Sequence, residues 1–283
     1  MAMESLLHPL TIRWLSQAAI TPSGAYLFHG NTGRGKATSA AELAAILNRD
    51  APTYPYLTVV GLEDRASIGI EQIRKLQGDL NLRAANPNGQ RVVLFEAADK
   101  LTTEAQNALL KVIEEPPAAT VIILASTDPE RLLPTVRSRT QAVYFPPLAK
   151  SVIADYLTAH DGVPGPLAAE LAELSDGAIG LARRLANDET ELETYRRLDA
   201  LGQELLGAPV FTRLVTARQL TDAKAPLAIL VNRLQIRLQE ALRDGSSDGG
   251  LQLTRLEAIT RFWRRLEANV TPRLALESLL LEV

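Results

Sequence analysis

Seven consecutive residues have the types and spacing to hold phosphate. Gly30-Asn31-Thr32-Gly33-Arg34-Gly35-Lys36 fits G-x-x-x-x-G-K. Glycines let backbone N–H groups turn toward an anion, a following helix adds its N-terminal dipole, and the lysine reaches the terminal phosphates. The plainer reading is a Gly-rich turn ending in a solvated lysine. Mg²⁺ in such loops is held by a Ser or Thr directly after the lysine. Here that residue is Ala37, and Thr38 comes one position late, which on a helix turns it about 100° away. A second chemical position follows the apolar run ending at Phe95. Hydrolysing enzymes with this loop place Asp-Glu there, the Asp for the metal and the Glu for water. This chain has Glu96-Ala97. Glu96 reaches one methylene further than Asp, and Ala97 cannot polarise water. Glu96 and Asp99 read equally well as ordinary polar residues at a strand end. Gly30, Gly33, Gly35, Lys36 and Thr38 are therefore candidates for a degenerate phosphate loop, with weak or no nucleotide binding and no hydrolysis.

These residues need elements to position them. Ala25–Phe28, Arg91–Phe95, Thr120–Ala125 and Ala142–Phe145 are short apolar runs separated by amphipathic segments. Continuous apolar strands alternating with helices imply a mostly parallel sheet covered on both faces. A helix rich in Ala and Leu is expected from Lys36 to Asn48. Another lies between the second and third strands, with Thr103 as its cap, Gln106 completing a capping box, and Pro116-Pro117 ending it. Its apolar residues Ala105, Ala108, Leu109, Val112 and Ile113 recur at helical spacing. After Pro147 only helical patterns remain, a small bundle over 149–188 and a longer stretch over 189–283. The latter is interrupted by the flexible Gly245-Ser246-Ser247-Asp248-Gly249-Gly250.

Composition narrows the function classes. The chain has 283 residues, no cysteine and three histidines at positions 8, 29 and 160, so disulfides, thiolate zinc and spaced histidine metal sites are not expected. No apolar stretch approaches the ~20 residues of a membrane span, and no signal peptide is evident in MAMESLLHPLTIRW. A cytoplasmic location is the expectation. Net charge is -3, which argues against a general polyanion binder.

Several stretches resemble the AAA+ subunits of bacterial DNA polymerase III clamp loaders. These are Ile70-Glu71-Gln72-Ile73-Arg74; Ala98-Asp99-Lys100-Leu101; Ala105-Gln106-Asn107-Ala108-Leu109-Leu110-Lys111; Glu114-Glu115-Pro116-Pro117; and Leu124-Ala125-Ser126-Thr127-Asp128-Pro129. Leu132 to Arg139 is similar to the segment leading into the family's Ser-Arg-Cys motif, and Pro272 to Leu280 to the end of its collar. The resemblance implies an α/β AAA+ fold with a RecA-like domain over 1–148, a helical lid over 149–188 and a helical collar over 189–283. It also implies a hetero-pentamer with gamma/tau motor subunits and the clamp-opening delta subunit, which loads the sliding clamp onto primer-template DNA. Within the family the delta-prime type fits best. That type does not hydrolyse ATP and lends an arginine to the ATP bound by a neighbour. Arg139, after Ser138, matches that arginine. A finger of this kind supplied in trans is worth about 10³–10⁵ in rate; the plainer reading is a surface arginine in a salt bridge. Thr140 replaces the motif's cysteine, the family's zinc module has no counterpart in Asn48 to Val60, and Gly180 falls where a motor carries its sensor 2 arginine. Arg183 and Arg184 lie a turn later, on a face expected to be exposed.

Three other readings remain in view. One is an active motor subunit, with Thr38 or Glu96 holding Mg²⁺. Another is a small NTP-binding or helicase-like AAA+ factor without clamp-loader partners. The last is a DNA-binding module, for which Arg233, Arg237, Arg261, Arg264 and Arg265 would supply patches, although half-buried stems with solvated heads account for them more simply. Ile229, Ile236, Leu276, Leu279 and Leu280 are candidates for an assembling face of the collar.

Overall fold

A computed structural model describes residues 8–48, 57–63, 65–82, 90–245 and 249–283. Parts of the expected Gly245–Gly250 loop and of the Asn48–Val60 segment lie outside the described residues. The elements run α1 (Pro9–Ile20), β1 (Ala25–His29), α2 (Lys36–Leu47), β2 (Leu57–Val60), α3 (Ile70–Leu82), β3 (Arg91–Phe95), α4 (Thr103–Glu114), β4 (Thr120–Ser126), α5 (Pro134–Arg137) and β5 (Gln141–Tyr144). All-helical chain follows: α6 (Lys150–His160), α7 (Gly165–Ser175), α8 (Ile179–Asn187), α9 (Glu189–Gly207), α10 (Val210–Asp222), α11 (Leu227–Arg243), α12 (Gly249–Glu267) and α13 (Pro272–Glu282).

The five strands form one parallel sheet in the order β2-β3-β4-β1-β5. Alternate residues of each strand enter opposite cores, as the pleat requires. Leu27, Val93, Phe95, Ile122 and Leu124 pack with Ile73 and Leu76 of α3 and with Ala105, Leu109 and Val112 of α4. Tyr26, Phe28, Val92, Leu94, Val121 and Ile123 pack with Leu15 of α1 and with Ala40, Leu43 and Ala44 of α2. A sheet buried on both faces explains the uninterrupted apolar runs. The edge strand β2 is additional to the four expected strands.

The chain divides into two compact units, 1–184 and 185–283. In the first, α6 and α7 pack together, with Lys150 of α6 bonded to Glu173 of α7 at 2.9 Å. In the second, Leu198, Leu205, Leu230, Leu234, Ile259, Phe262, Leu276, Leu279 and Leu280 make one core. Leu276, Leu279 and Leu280 are therefore not an assembling face: the apolar stripe of α13 is spent on α10 and α12. Ile229 and Ile236 are half-buried. Arg233 and Arg237 do not form a surface patch either. Arg233 is 2% exposed, and both arginines hold Asp199 of α9, at 2.6 and 2.7 Å. Burial pushes the Asp199 carboxyl up, but hydrogen bonds from Arg237 and Arg233 outweigh it and hold the group below the usual value.

Candidate functional site

The phosphate loop leaves the carboxyl end of β1 and enters α2, the placement this motif needs. It is closed upon itself. Lys36 Nζ donates to Gly30 O at 2.5 Å and to Asn31 O at 2.9 Å. The side chain is turned back into its own loop, and the residue is only 9% exposed. Burial pushes its ammonium down to about 8, against the opposing charge of Asp99; Arg34 lowers it further. His29, at the end of β1, is also lowered, first by burial and then by Lys36. The crown of the loop is covered by the start of α8. Gly180 N donates to Gly33 O at 3.0 Å. A Cβ on Gly180 would sit 3.1 Å from Gly33 O, and one on Gly33 would sit 3.2 Å from Leu181 N. Gly33 also has φ of +80°, which favours glycine. Arg34 reaches Asp176 at 3.7 Å.

Gly30, Gly33, Gly35 and Lys36 are thus brought together, while Thr38 is exposed on α2 and joins none of them. The donor set does not fit MgATP. Ala37 offers no oxygen, Thr38 points to solvent, and the lysine is engaged by backbone carbonyls. Glu96 is exposed at the end of β3. Asp99 has the more defined place: its carboxylate accepts from Thr127 N at 3.2 Å and its charge acts on Lys36. From sequence Asp99 reads equally well as an ordinary polar residue, and its spacing three residues beyond Glu96 is the available signal for more. Arg183 and Arg184 are exposed on α8, and Arg183 is bonded to Asp161.

Ser138 and Arg139 lie elsewhere. They follow α5 and precede β5, hence at the amino end of the strands. The phosphate loop, Glu96, Asp99 and Thr127 all follow strand carboxyl ends. Because every strand is parallel, the two groups sit at opposite ends of the sheet, with a strand length of about 13–17 Å for four or five residues between those ends. Ser138 Oγ donates to Thr135 O at 3.2 Å. Arg139 Nε donates to Glu114 Oε1 at 2.5 Å, and its Nη1 to Thr135 O at 3.2 Å.

Gln106 links the segment ahead of Arg139 to α4. The cap of α4 is Thr102, whose hydroxyl accepts from Ala105 N at 3.2 Å, so the expected Thr103–Gln106 capping box does not form. Gln106 is 3% exposed. It donates to Leu101 O and Arg131 O, both at 3.2 Å, and accepts from Leu133 N at 2.7 Å.

The parallel sheet, the loop after β1 and the helices on both faces define an AAA+ protein. Comparisons with known proteins carry the assignment further. A family model described as "DNA polymerase III, delta subunit" matches residues 13–149. The DNA polymerase III subunit delta' of Pseudomonas aeruginosa is 36% identical over 183 residues, covering 57% of this chain and 55% of that protein. The DNA polymerase III subunit gamma/tau of Mycobacterium tuberculosis is 35% identical over 160 residues, covering 49% of this chain and 28% of its own length. A crystal structure of a gamma subunit-related protein from Thermotoga maritima superposes with a TM-score of 0.54 over 96% of this chain and 97% of that one. At 21% identity, that likeness bears on the fold alone. Residues 13–149 thus match the clamp-loader subunits of DNA polymerase III, with delta-prime proteins among the relatives at 31–36% identity. The chain spans about half the length of the delta-prime relatives it matches.

Proposed function

We propose that this chain is a clamp-loader subunit that turns over no ATP of its own and lends Arg139 to the ATP site of an adjacent motor. The observation that carries the reading is the separation of the two groups. Arg139 sits at the end of the sheet opposite its own phosphate loop, so it is not positioned to serve a nucleotide held there. This position supports a role toward a neighbour's phosphate, because a fixed, permanently charged fork suits the transferring group. The closed loop supports the same reading: with Lys36 tied to Gly30 and Asn31 and no oxygen at position 37, nucleotide has little to hold.

In this proposal 149–188 serves as a lid fixed on the loop and 189–283 as the collar through which the subunit joins a hetero-pentamer. The partners are gamma/tau-type motors and a clamp-opening delta subunit, and together they load the sliding clamp onto primed DNA in the cytoplasm. Neither zinc nor nucleotide is required by this chain itself.

Reconstitution with the motors and the delta subunit tests the proposal. Arg139→Ala is expected to assemble normally and to lower DNA-stimulated ATP turnover at least tenfold. Unchanged turnover in an assembled complex would refute the role of Arg139. Steady turnover by the isolated chain would refute the claim that it is not a motor.

A further inference from the structure

We infer that Glu114 is the positioning residue for Arg139, an inference that rests on Arg139 acting in trans as proposed above. Arg139 is pinned at two points from two different elements. Its Nε donates to Glu114 Oε1, on the last residue of α4, and its Nη1 donates to Thr135 O, in α5. A guanidinium carries five N–H donors in one rigid plane. Two are consumed, Nε–H and one on Nη1. The other three, both on Nη2 and one on Nη1, have no intramolecular partner among the described residues. The pinned side faces the protein's own helices, and what remains is a fork suited to bidentate contact with an oxyanion.

The anchor is itself held. Gln106, two turns earlier on α4, bonds Arg131 O and Leu133 N in the segment that runs into α5. Glu114 and Thr135 therefore belong to elements fixed against each other, so the arginine's plane is set before any partner arrives. Pre-ordering of this kind reduces the entropy lost when the contact forms. A folding role does not account for the pair. Both side chains are nearly half exposed, 42% for Arg139 and 47% for Glu114, and exposed ion pairs contribute little to stability.

The test uses the reconstituted loader carrying wild-type chain, Glu114→Gln, Glu114→Asp, Arg139→Ala, or Glu114→Gln with Arg139→Ala. Assembly is checked by gel filtration, and kcat and KM for ATP are measured with primed DNA. Glu114→Gln is expected to assemble normally and to lower kcat about tenfold with KM within twofold, inside the ~10²-fold cost of a 1 Å misplacement. Glu114→Asp recovers part of that loss. In the Arg139→Ala background, Glu114→Gln adds no further loss, because its only route to the chemistry is gone. An unchanged or raised kcat in Glu114→Gln, with Arg139→Ala impaired, overturns the inference; a rise would make the pair a brake. An equal loss in both backgrounds overturns it too, because Glu114 then acts independently of Arg139. If Arg139→Ala leaves turnover intact, the trans reading fails first and this inference falls with it.

Discussion

Replacing Gln106 by leucine removes three hydrogen bonds and leaves the volume nearly unchanged, so the loss can be worked from the bonds alone. Leu133 N loses an acceptor at 2.7 Å, and Leu101 O and Arg131 O each lose a donor at 3.2 Å. With Gln106 3% exposed, water has little room to replace the side chain. An unpaired buried N–H costs about 1–3 kcal/mol, and each neutral hydrogen bond contributes about 1 kcal/mol net. The expected destabilisation is about 2–4 kcal/mol. For a unit of 184 residues, at about 2–4 °C per kcal/mol, the Tm falls by about 5–15 °C. Urea unfolding followed by circular dichroism gives the free energy, and calorimetry gives the Tm. Gln106→Glu sharpens the test. It keeps an acceptor for Leu133 N but sets a carboxylate against two carbonyl oxygens, so it should lose at least as much stability at pH 7 and regain some as the pH falls through that carboxyl's pKa. A loss below about 1 kcal/mol for Gln106→Leu would refute the reasoning, since these bonds would then have been replaced without cost.

Two other substitutions probe buried charges. Asp199→Asn leaves Arg233 buried without its carboxylate; at the lower end of the range for a broken buried pair, about 3 kcal/mol, the second unit should melt at least 10 °C lower by calorimetry. The folded pKa of Asp199 is depressed, so its contribution is present above the unfolded value near 3.8 and is lost as the pH drops through the folded value; the wild-type and variant stability curves should approach each other as the pH falls below the unfolded value. Lys36 has the same sign in a higher pH window, because its folded pKa is also depressed, here by burial of the charge. With a folded pKa of about 8 against 10.5, the unfolded state binds the extra proton between those values, so wild-type stability gains a contribution as the pH climbs from about 8 toward 10.5. Lys36→Met should lack that rise in urea titrations at matched pH, and an identical slope in both proteins would show that the ammonium is solvated.

The fold was legible where periodicity and burial agree. The runs at Arg91–Phe95 and Thr120–Ala125 are apolar at every other position on both faces because helices cover both faces. Strand β2 was not legible because it is an edge: Leu57, Thr58 and Val59 are only partly buried or exposed, so the segment carries no continuous apolar signal. The cap of α4 was misplaced by one residue since Thr102 and Thr103 are chemically equivalent, and a tertiary demand decided between them: Gln106 is needed by Arg131 and Leu133. In the second unit the helices were legible but their neighbours were not. An apolar stripe says that a face is covered, not whether the cover comes from the same chain, and Leu276, Leu279 and Leu280 are covered from within it. Arg233 carried no sign that Asp199, 34 residues away, would be its partner.

The phosphate loop has structural demands of its own, apart from any ligand. Glycine at position 33 is demanded twice, by a φ of +80° and by the approach of α8, whose Gly180 N–H takes the carbonyl of Gly33. A phosphate would demand the same glycine for backbone access. Lys36 is likewise satisfied without ligand, by Gly30 and Asn31. The residues that differ from a hydrolysing loop, Ala37 and Ala97, are those that only the chemistry would need. Packing therefore accounts for Gly33 and Lys36, and the Arg139–Glu114 pair at the other end of the sheet is bonded to none of the loop residues. Placement at the two ends of one sheet means that a change in one group need not disturb the other.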